Sequence, residues 1–201
     1  MRIVLREHLQ FFGRFLSNPL TVSAFAPSSS HLADAMTDWI DWSTVRNVAE
    51  YGAGTGVLTQ AISRRLTAGA KCISVEIDPL LADMAARRVP SACVRIGSVV
   101  DIEAICAAEG VSTVDSVVSG LPWAAIDPGR QREIVRATLR ILRPNGFFVT
   151  FAHPQGLLFP PGRHFRRLLD RKFAFVERTP MVWRNFPPAF VYRCRCAARP
   201  R

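Results

Sequence analysis

The fold is decided by ten consecutive residues, Val48-Ala-Glu-Tyr-Gly-Ala-Gly-Thr-Gly-Val57. They join an apolar run that predicts a strand, Val45–Tyr51, to a segment whose apolar residues recur at helical spacing. Gly52, Gly54 and Gly56 allow a tight turn and a close approach of the backbone to a ligand, and the start of the helix offers free N–H groups. The stretch therefore predicts a strand, a ligand-binding turn and a helix.

An acidic residue ends the next predicted strand, Cys72–Glu76, 22 residues beyond Gly54. In dinucleotide-type folds an acid at this place accepts hydrogen bonds from ribose hydroxyls. The dinucleotide fingerprint itself, G-x-G-x-x-G, is not met, because Val57 occupies the position of its third glycine. The pattern therefore predicts ribose binding by Glu76 without matching an NAD site.

Strands and helices alternate along the rest of the chain. The alternation predicts an α/β fold with a doubly wound, mostly parallel sheet of seven strands and helices on both faces. Two consecutive strands, 173–183 and 188–196, predict a C-terminal antiparallel hairpin. The other predicted strands are Cys93–Ile96, Val114–Ser119 and Gly146–Ala152, and the predicted helices are 57–66, 79–88, 101–109, 129–142 and 163–171. No linker divides the chain, so residues 1–201 are predicted to be one domain.

An N-terminal region, residues 1–40, precedes the core that begins at residue 45. Residues 1–18 have apolar side chains at helical spacing and predict a basic, amphipathic helix that ends before Pro19. Ser30 is predicted to cap a second helix that runs to about Ile40. Two interpretations of the first helix stay open: it lies among membrane headgroups, or it packs on the sheet as a lid.

The charge of the chain is unevenly distributed. Its formal net charge is +10, but residues 1–129 hold ten basic and thirteen acidic side chains, whereas residues 130–201 hold sixteen and three. A second part this basic predicts an anionic partner: nucleic acid, an acidic membrane surface or a phosphorylated substrate. Composition excludes disorder, collagen-like repeats and coiled coil, because 49% of the residues are hydrophobic and no repeat is present.

The location of the protein is predicted from its cysteines and its apolar runs. Five scattered cysteines are typical of reduced thiols in the cytoplasm, and none forms a pattern with metal-ligand spacing, so no metal site is predicted. No apolar run approaches the ~20 residues that span a bilayer, and no cleavable leader is expected. The chain is therefore expected to be cytoplasmic, at most lying on a membrane.

The glycine turn together with Glu76 closely resembles the class I S-adenosylmethionine-dependent methyltransferases, which have a Rossmann-like fold. The resemblance implies S-adenosylmethionine as the cofactor. It implies that the methionine part lies on the E-x-G-x-G-x-G loop, the ribose on Glu76 and the adenine beside Ile77. An Asp usually faces the adenine amino group, and here Gly97-Ser98-Val99-Val100 places Ser98 there. The implied cofactor-binding residues are Ser29, Glu50, Gly52, Gly54, Gly56, Glu76, Ile77, Ser98, Val99, Ser119, Gly120 and Leu121.

The loop Ser119-Gly-Leu-Pro-Trp123 follows the fourth predicted strand, and the carboxyl ends of such strands are where ligands lie. It resembles in part the N/D-P-P-Y/F/W motif of DNA and RNA amino-methyltransferases, whose aromatic ring stacks on a flipped base. Here Ser119 replaces the amide or acid, and only Pro122 and Trp123 match. This difference weakens the prediction of adenine methylation.

Several stretches together resemble the bacterial soluble-type phospholipid N-methyltransferases, which convert phosphatidylethanolamine towards phosphatidylcholine. The matching segments are Phe15-Leu-Ser-Asn-Pro-Leu-Thr-Val22, Ala26-Pro-Ser-Ser-Ser30, the glycine turn, Ser119-Gly-Leu-Pro122 and Val182-Trp-Arg-Asn-Phe-Pro-Pro-Ala189. The resemblance implies methyl transfer to the amine of a phospholipid headgroup, at the inner membrane face. Residues 1–18 and the basic region 130–201 would then bind the anionic membrane surface. No dedicated protein partner is evident.

Transfer to an ammonium headgroup requires a proton acceptor near the strand ends. The candidates are Tyr51, His153 and the carbonyls of residues 119–121, and Trp123 is a candidate to hold a methylated ammonium by cation–π attraction. Three alternatives stay open. They are an rRNA adenine N6-methyltransferase, since nucleic acid is not excluded by the charge, a small-molecule methyltransferase, and a non-catalytic binding module on the same fold.

Overall fold

The computed structural model describes residues 29–198, which form one seven-stranded sheet with helices on both faces. The strands are β1 (Asn47–Tyr51), β2 (Lys71–Glu76), β3 (Cys93–Ile96), β4 (Val114–Ser119), β5 (Leu142–Ala152), β6 (Phe175–Arg178) and β7 (Phe190–Arg195). The helices are α1 (Ser30–Thr37), α2 (Val57–Ser63), α3 (Pro79–Arg88), α4 (Ile102–Ala108), α5 (Pro128–Ile141) and α6 (Pro160–Lys172). The helix predicted for residues 1–18 lies outside the described residues.

The strands lie in the order β3-β2-β1-β4-β5-β7-β6. Strands β1 to β5 pair in parallel, and β7 pairs antiparallel with both β5 and β6. The sequence prediction of a doubly wound, mostly parallel sheet with a C-terminal hairpin is thus confirmed. The order reverses between β1 and β4, and the carboxyl ends of parallel strands at such a reversal are where ligands bind in open α/β sheets.

The strands form because their residues are buried on both faces of the sheet. Val117 and Phe148 pack into the cluster under α4, α5 and α6, whereas Val118 and Val149 pack into the cluster under α1 and α2. Neighbouring residues of one strand therefore pack into hydrophobic clusters on opposite faces of the sheet. For this reason nearly all residues of these strands are apolar in sequence. This alternation also decides which side chains of the site face solvent.

Two predictions about element boundaries need correction. The strand predicted for 173–183 is limited to Phe175–Arg178, followed by a single bridge between Val182 and Ala189. Pro180 has no N–H to donate, so it interrupts the ladder. Ser29, rather than Ser30, caps α1, because its hydroxyl accepts a hydrogen bond from the Leu32 amide.

Candidate active site

The glycine turn joins β1 to α2 at the carboxyl edge of the sheet. Gly54 has a φ of 53° and Gly56 a φ of 82°, which L side chains rarely adopt. A Cβ at Gly56 would lie 2.9 Å from the Cα of Ala85, so α2 and α3 approach too closely for a side chain. A Cβ at Gly54 would meet no atom of the described residues within 4 Å. The turn is thus packed at Gly56 and open to a ligand at Gly54.

Gly52 faces the loop that follows β4. It has a φ of 74°, and a Cβ there would lie 3.2 Å from Cδ2 of Leu121. The Gly120 amide donates to the Tyr51 carbonyl at 2.7 Å, which joins the same two loops through the backbone. The structure therefore brings together Gly52, Gly120 and Leu121, which the sequence predicted as cofactor-binding residues from separate segments.

Glu76 is held in place by the backbone around it. Its Oε2 accepts a hydrogen bond from the Gly54 amide at 2.9 Å. Its Oε1 accepts from the amides of Ile77 and Asp78 at 2.8 and 3.0 Å. A carboxylate offers about four acceptor positions, so acceptor capacity remains on Oε2. This remaining capacity, beside the open space at Gly54, fits the ribose of S-adenosylmethionine.

Glu50 lies below the glycine turn and is fully buried. The Ser74 hydroxyl donates to its Oε2 at 2.5 Å, whereas its Oε1 has no partner among residues 29–198. Burial raises the pKa of Glu50 to about 7, and the hydrogen bond from Ser74 opposes part of that rise. A buried carboxyl group with an unpartnered oxygen fits a cationic ligand, and S-adenosylmethionine carries an ammonium and a sulfonium.

This burial makes the stability of the unliganded protein depend on pH. Between 4.5, the ordinary pKa of a glutamate, and about 7, the folded chain keeps a proton that the unfolded chain has lost. The free energy of unfolding therefore falls as pH rises through this window, by roughly 3 kcal/mol in all. In Glu50→Gln the amide oxygen can still accept the hydrogen bond from Ser74, but the side chain does not titrate. The free energy of unfolding of this variant therefore no longer falls with pH in this window. Urea unfolding at about pH 8 should find the variant more stable by roughly 2 to 3 kcal/mol.

Near pH 4.5 the two proteins should have equal stability, because Glu50 is then protonated in the folded chain. Glu103→Gln is the matched control, since this carboxylate is exposed on the surface and pairs with Arg140. If the free energies of unfolding of wild type and Glu50→Gln change with pH in parallel, Glu50 is ionised in the folded chain throughout this pH window.

Ser98 occupies the predicted adenine position after β3. Its hydroxyl accepts hydrogen bonds from the Val100 amide at 3.4 Å and from Nη2 of Arg130 at 3.0 Å. Arg130 also pairs with Glu133 in α5. Sequence reasoning missed Arg130, which is 32 residues away, and no local pattern points to it. The guanidinium of Arg130 thus lies beside Ser98, the side chain predicted to face the adenine.

The loop after β4 differs from its predicted role. Trp123 is buried, its ring stacks on Phe165 at 4.1 Å between centroids, and its indole N–H donates to Ser119 and Thr150. The prediction that Trp123 holds a methylated ammonium is therefore corrected, because its faces are enclosed in the core. The Ser119 carbonyl accepts from the Thr150 hydroxyl at 2.9 Å. Of the residues 119–121, Gly120 has a carbonyl that no donor among residues 29–198 reaches.

Tyr51 also needs correction. Its side chain is fully buried on the α5 side of the sheet, and its hydroxyl lies 3.1 Å from that of Thr138. Burial raises the pKa of Tyr51 well above its ordinary value. A phenol that is enclosed and hard to ionise cannot accept a proton from a substrate at the sheet edge, so Tyr51 stabilises the core.

His153 follows β5 at the carboxyl edge. Its Nδ1 lies 3.0 Å from the carbonyl oxygen of Pro188, which can only accept a hydrogen bond. Nδ1 therefore carries the proton in the neutral ring, and Nε2 keeps a lone pair. Among the described residues nothing donates to that Nε2. The position fits the predicted role of His153 as a proton acceptor, because the backbone fixes the tautomer that a base requires.

The segment 179–189 connects several parts of this edge. Asn185 is buried, accepts a hydrogen bond from the Ser29 amide at 2.9 Å and donates to the Pro187 carbonyl at 2.7 Å. Residues 182–189 of this segment resemble phospholipid N-methyltransferases in sequence, but the sequence alone did not indicate the anchoring role of Asn185. The start of α1, the His153 ring and the segment before β7 are therefore held together.

The comparisons with known proteins agree with this geometry. A family model described as a methyltransferase domain matches residues 48–146. The crystal structure of an O-methyltransferase from Bacillus cereus in complex with S-adenosylhomocysteine superposes with a TM-score of 0.60 at 17% identity, over 95% of this chain and 90% of that chain. The class is shown by these matches together with a curated methyltransferase that is 33% identical over 95% of this chain. The chain belongs to the S-adenosylmethionine-dependent methyltransferases of class I, and S-adenosylmethionine is its cofactor.

Two curated relatives show what this chain is similar to within the class. The ornithine lipid N-methyltransferase of Singulisphaera acidiphila is 33% identical over 196 residues, which cover 95% of this chain and 97% of that protein. The tRNA1(Val) (adenine(37)-N6)-methyltransferase of Phocaeicola vulgatus is 26% identical over 59% of this chain and 52% of its own length. The first likeness extends through the segments that follow β4, and it supports assignment of the chain as an N-methyltransferase.

Proposed function

We propose that this methyltransferase transfers methyl groups to the amine of a membrane-lipid headgroup. The observation that carries the proposal is the likeness to an ornithine lipid N-methyltransferase over 95% of the chain. That likeness includes the loop 119–123 and the segment 179–189, where an acceptor would lie. Two of the five segments that carry the resemblance to phospholipid N-methyltransferases, 119–122 and 182–189, lie in the same places.

The two lipid acceptors share one chemistry. Phosphatidylethanolamine and ornithine lipids both present a primary amine close to an anionic group, a phosphate in the first and a carboxylate in the second. Phosphatidylethanolamine and its methylated forms are the acceptor that the sequence resemblance implies, and ornithine lipid is the acceptor in the relative's name. Arg163 and Arg184, both exposed at the carboxyl edge, supply positive charge for either anionic group.

The chain's own residues then have three tasks. Glu76 and the glycine turn hold the cofactor, which supplies a methyl group activated by a sulfonium when it is bound. Nε2 of His153 accepts the proton that the headgroup ammonium must lose before its nitrogen has a lone pair. The Gly120 carbonyl accepts a hydrogen bond from the amine and orients it. No covalent intermediate with the protein is needed, because positioning supplies most of the catalysis.

Action at a membrane surface fits the distribution of charge. Exposed arginines lie along α5 and α6, and each would contribute about 1 kcal/mol of attraction to anionic lipid near the surface. In residues 29–198 no helix has the length and apolar character needed to cross a bilayer. From this distribution of charge we propose that the protein acts at the inner membrane face as a peripheral enzyme, with residues 1–18 as a second contact.

Labelled S-adenosylmethionine tests the proposal directly. The full chain is incubated with vesicles that contain phosphatidylethanolamine, ornithine lipid or phosphatidylcholine, and in a parallel arm with ribosomal RNA. Label is expected in one of the two amino-lipid arms and not with phosphatidylcholine, whose nitrogen is already quaternary. Labelled RNA together with unlabelled amino lipids would reject the lipid acceptor and favour the RNA alternative.

A further inference from the structure

We propose that the protein docks on the membrane through an apolar rim at the mouth of the acceptor site. The rim consists of Leu158, Phe159, Trp183 and Phe186, with Arg163 and Arg184 beside it. This inference rests on the proposed function, because a lipid acceptor is what brings a membrane to this edge of the sheet. It names the surface that makes the contact within the described residues.

The rim comes from two segments that the sheet places side by side. Leu158 and Phe159 follow β5, whereas Trp183 and Phe186 precede β7, and these strands pair with Ala152 opposite Phe190. The contact between His153 and Pro188 joins the two segments at their bases. The rim is therefore at the carboxyl edge, next to the group that would accept the proton from the headgroup.

The apolar side chains of the rim are unusually open to solvent. Trp183 is 76% exposed, Phe186 86% and Leu158 72%, whereas most other aromatic rings in residues 29–198 are buried. Several large apolar side chains exposed at one edge of a sheet form a candidate interaction surface, whereas single exposed apolar residues need no explanation. Trp and Phe are also the side chains that favour the boundary between headgroups and acyl chains.

The charge of the rim favours an anionic lipid surface. Arg163 and Arg184 are exposed, and neither forms an ion pair with another described residue. No acidic residue occurs in segments 153–163 or 179–189. Exposed rings and an exposed leucine beside unpaired arginines match a bilayer, which has an apolar interior beneath anionic headgroups. A nucleic acid would satisfy the arginines and the rings but would leave Leu158 in water.

The geometry also separates the rim from the basic face of α6. Arg163, Arg167 and Arg171 are spaced by four residues and form one stripe that leads away from the rim. At 1.5 Å per residue, Arg171 lies about 12 Å further along the helix than Arg163. That is more than the Debye length of about 10 Å at ordinary salt. Docking on the rim therefore requires Arg163 much more than Arg171.

Vesicle binding by the full chain tests the rim. The double variant Trp183→Ala/Phe186→Ala should bind vesicles of phosphatidylethanolamine and phosphatidylglycerol at least about tenfold more weakly than wild type, because two apolar contacts are lost. Phe175→Ala is the matched control: this ring is 47% exposed at the opposite edge of the sheet, and binding should stay unchanged. Arg163→Ala should weaken binding several-fold more than Arg171→Ala.

Fluorescence gives a second and direct measurement. Vesicles whose acyl chains are brominated quench a tryptophan that enters the bilayer. Quenching is expected in wild type and should be lost in Trp183→Phe, since Trp123 is buried in the core and Trp39 and Trp42 are partly buried beside α1. Unchanged binding of S-adenosylhomocysteine shows that each variant is folded. Absence of quenching in wild type, or full vesicle binding by the double variant, would overturn the proposal that the rim docks on the membrane.

The same variants separate this inference from the proposed function. If the double variant loses methylation of lipid in vesicles but keeps it on lipid dispersed in detergent, the rim is a docking surface and the acceptor is a lipid. If wild type methylates no dispersed amino lipid, the proposed function fails, and quenching of Trp183 still decides whether the rim meets a bilayer. If RNA, added in competition, protects Trp183 from the brominated vesicles, the rim is an RNA surface and the proposal is wrong.

Discussion

Replacing Glu76 by alanine is expected to lower the affinity for S-adenosylhomocysteine about a hundredfold. The carboxylate holds the glycine turn through the amides of Gly54, Ile77 and Asp78, and it keeps acceptor capacity for a ribose. Alanine removes the ribose acceptor and leaves three N–H groups without their partner. Titration calorimetry with S-adenosylhomocysteine measures the change without requiring turnover.

Asp83→Ala is the control for this experiment. It removes the same charge from α3, where the carboxylate is exposed and pairs only with Arg87 among the described residues. Its effect on affinity should stay within about twofold, because exposed ion pairs contribute little. An unchanged affinity in Glu76→Ala would show that the ribose lies elsewhere.

Replacing His153 by asparagine should reduce the rate of methyl transfer to an amino lipid by about 10² to 10⁴. The amide N–H₂ of asparagine can still donate to the Pro188 carbonyl, as Nδ1 does, but no atom replaces the lone pair on Nε2. The loss should shrink as pH rises, because more of the acceptor amine then reaches the site already deprotonated. Rates are measured in detergent-dispersed lipid, so that docking does not limit them.

Two measurements accompany this prediction. The affinity of His153→Asn for S-adenosylhomocysteine should equal that of wild type, since His153 lies on the acceptor side of the sheet. His31→Asn changes an exposed histidine of α1 in the same way and should leave the rate unaltered. A rate deficit in His153→Asn that is constant across pH would indicate that the ring positions the substrate and does not accept its proton.

The signals for the cofactor half of the site are local in the sequence, and the structure places the residues that carry them together. The glycine turn directly follows a buried strand, and Glu76 ends the next strand, which pairs with it in parallel. The spacing along the chain was therefore enough to predict that Glu76 lies beside the turn. The acceptor half depends on contacts between distant segments. Arg130 reaches Ser98 across 32 residues and His153 reaches Pro188 across 35, and both contacts follow from helix placement and strand register.

The errors in the predicted acceptor half have one physical cause. Adjacent residues of a strand face opposite sides of the sheet, and α5 and α6 cover the side that Tyr51 faces. The sequence position of a residue at the end of a strand predicts that it lies at the ligand-binding edge of the sheet. Its side chain can nevertheless point into the hydrophobic core. Trp123 is buried for a similar reason, since α6 supplies Phe165 as its stacking partner. Neither helix position could be read from the motif.

The reversal of strand order between β1 and β4 has a consequence for how this chain can change. Most of the predicted cofactor-binding residues lie between 50 and 99, although Ser119, Gly120 and Leu121 follow β4. The loops that we propose for the acceptor lie between 119 and 189. The residues for cofactor binding and those proposed for acceptor binding therefore lie mainly in two consecutive stretches of the chain. A chimaera with a single junction in the segment before β4 exchanges the acceptor loops as a unit. Divergence of acceptor preference can therefore proceed by recombination at one point, with the methyl donor retained throughout.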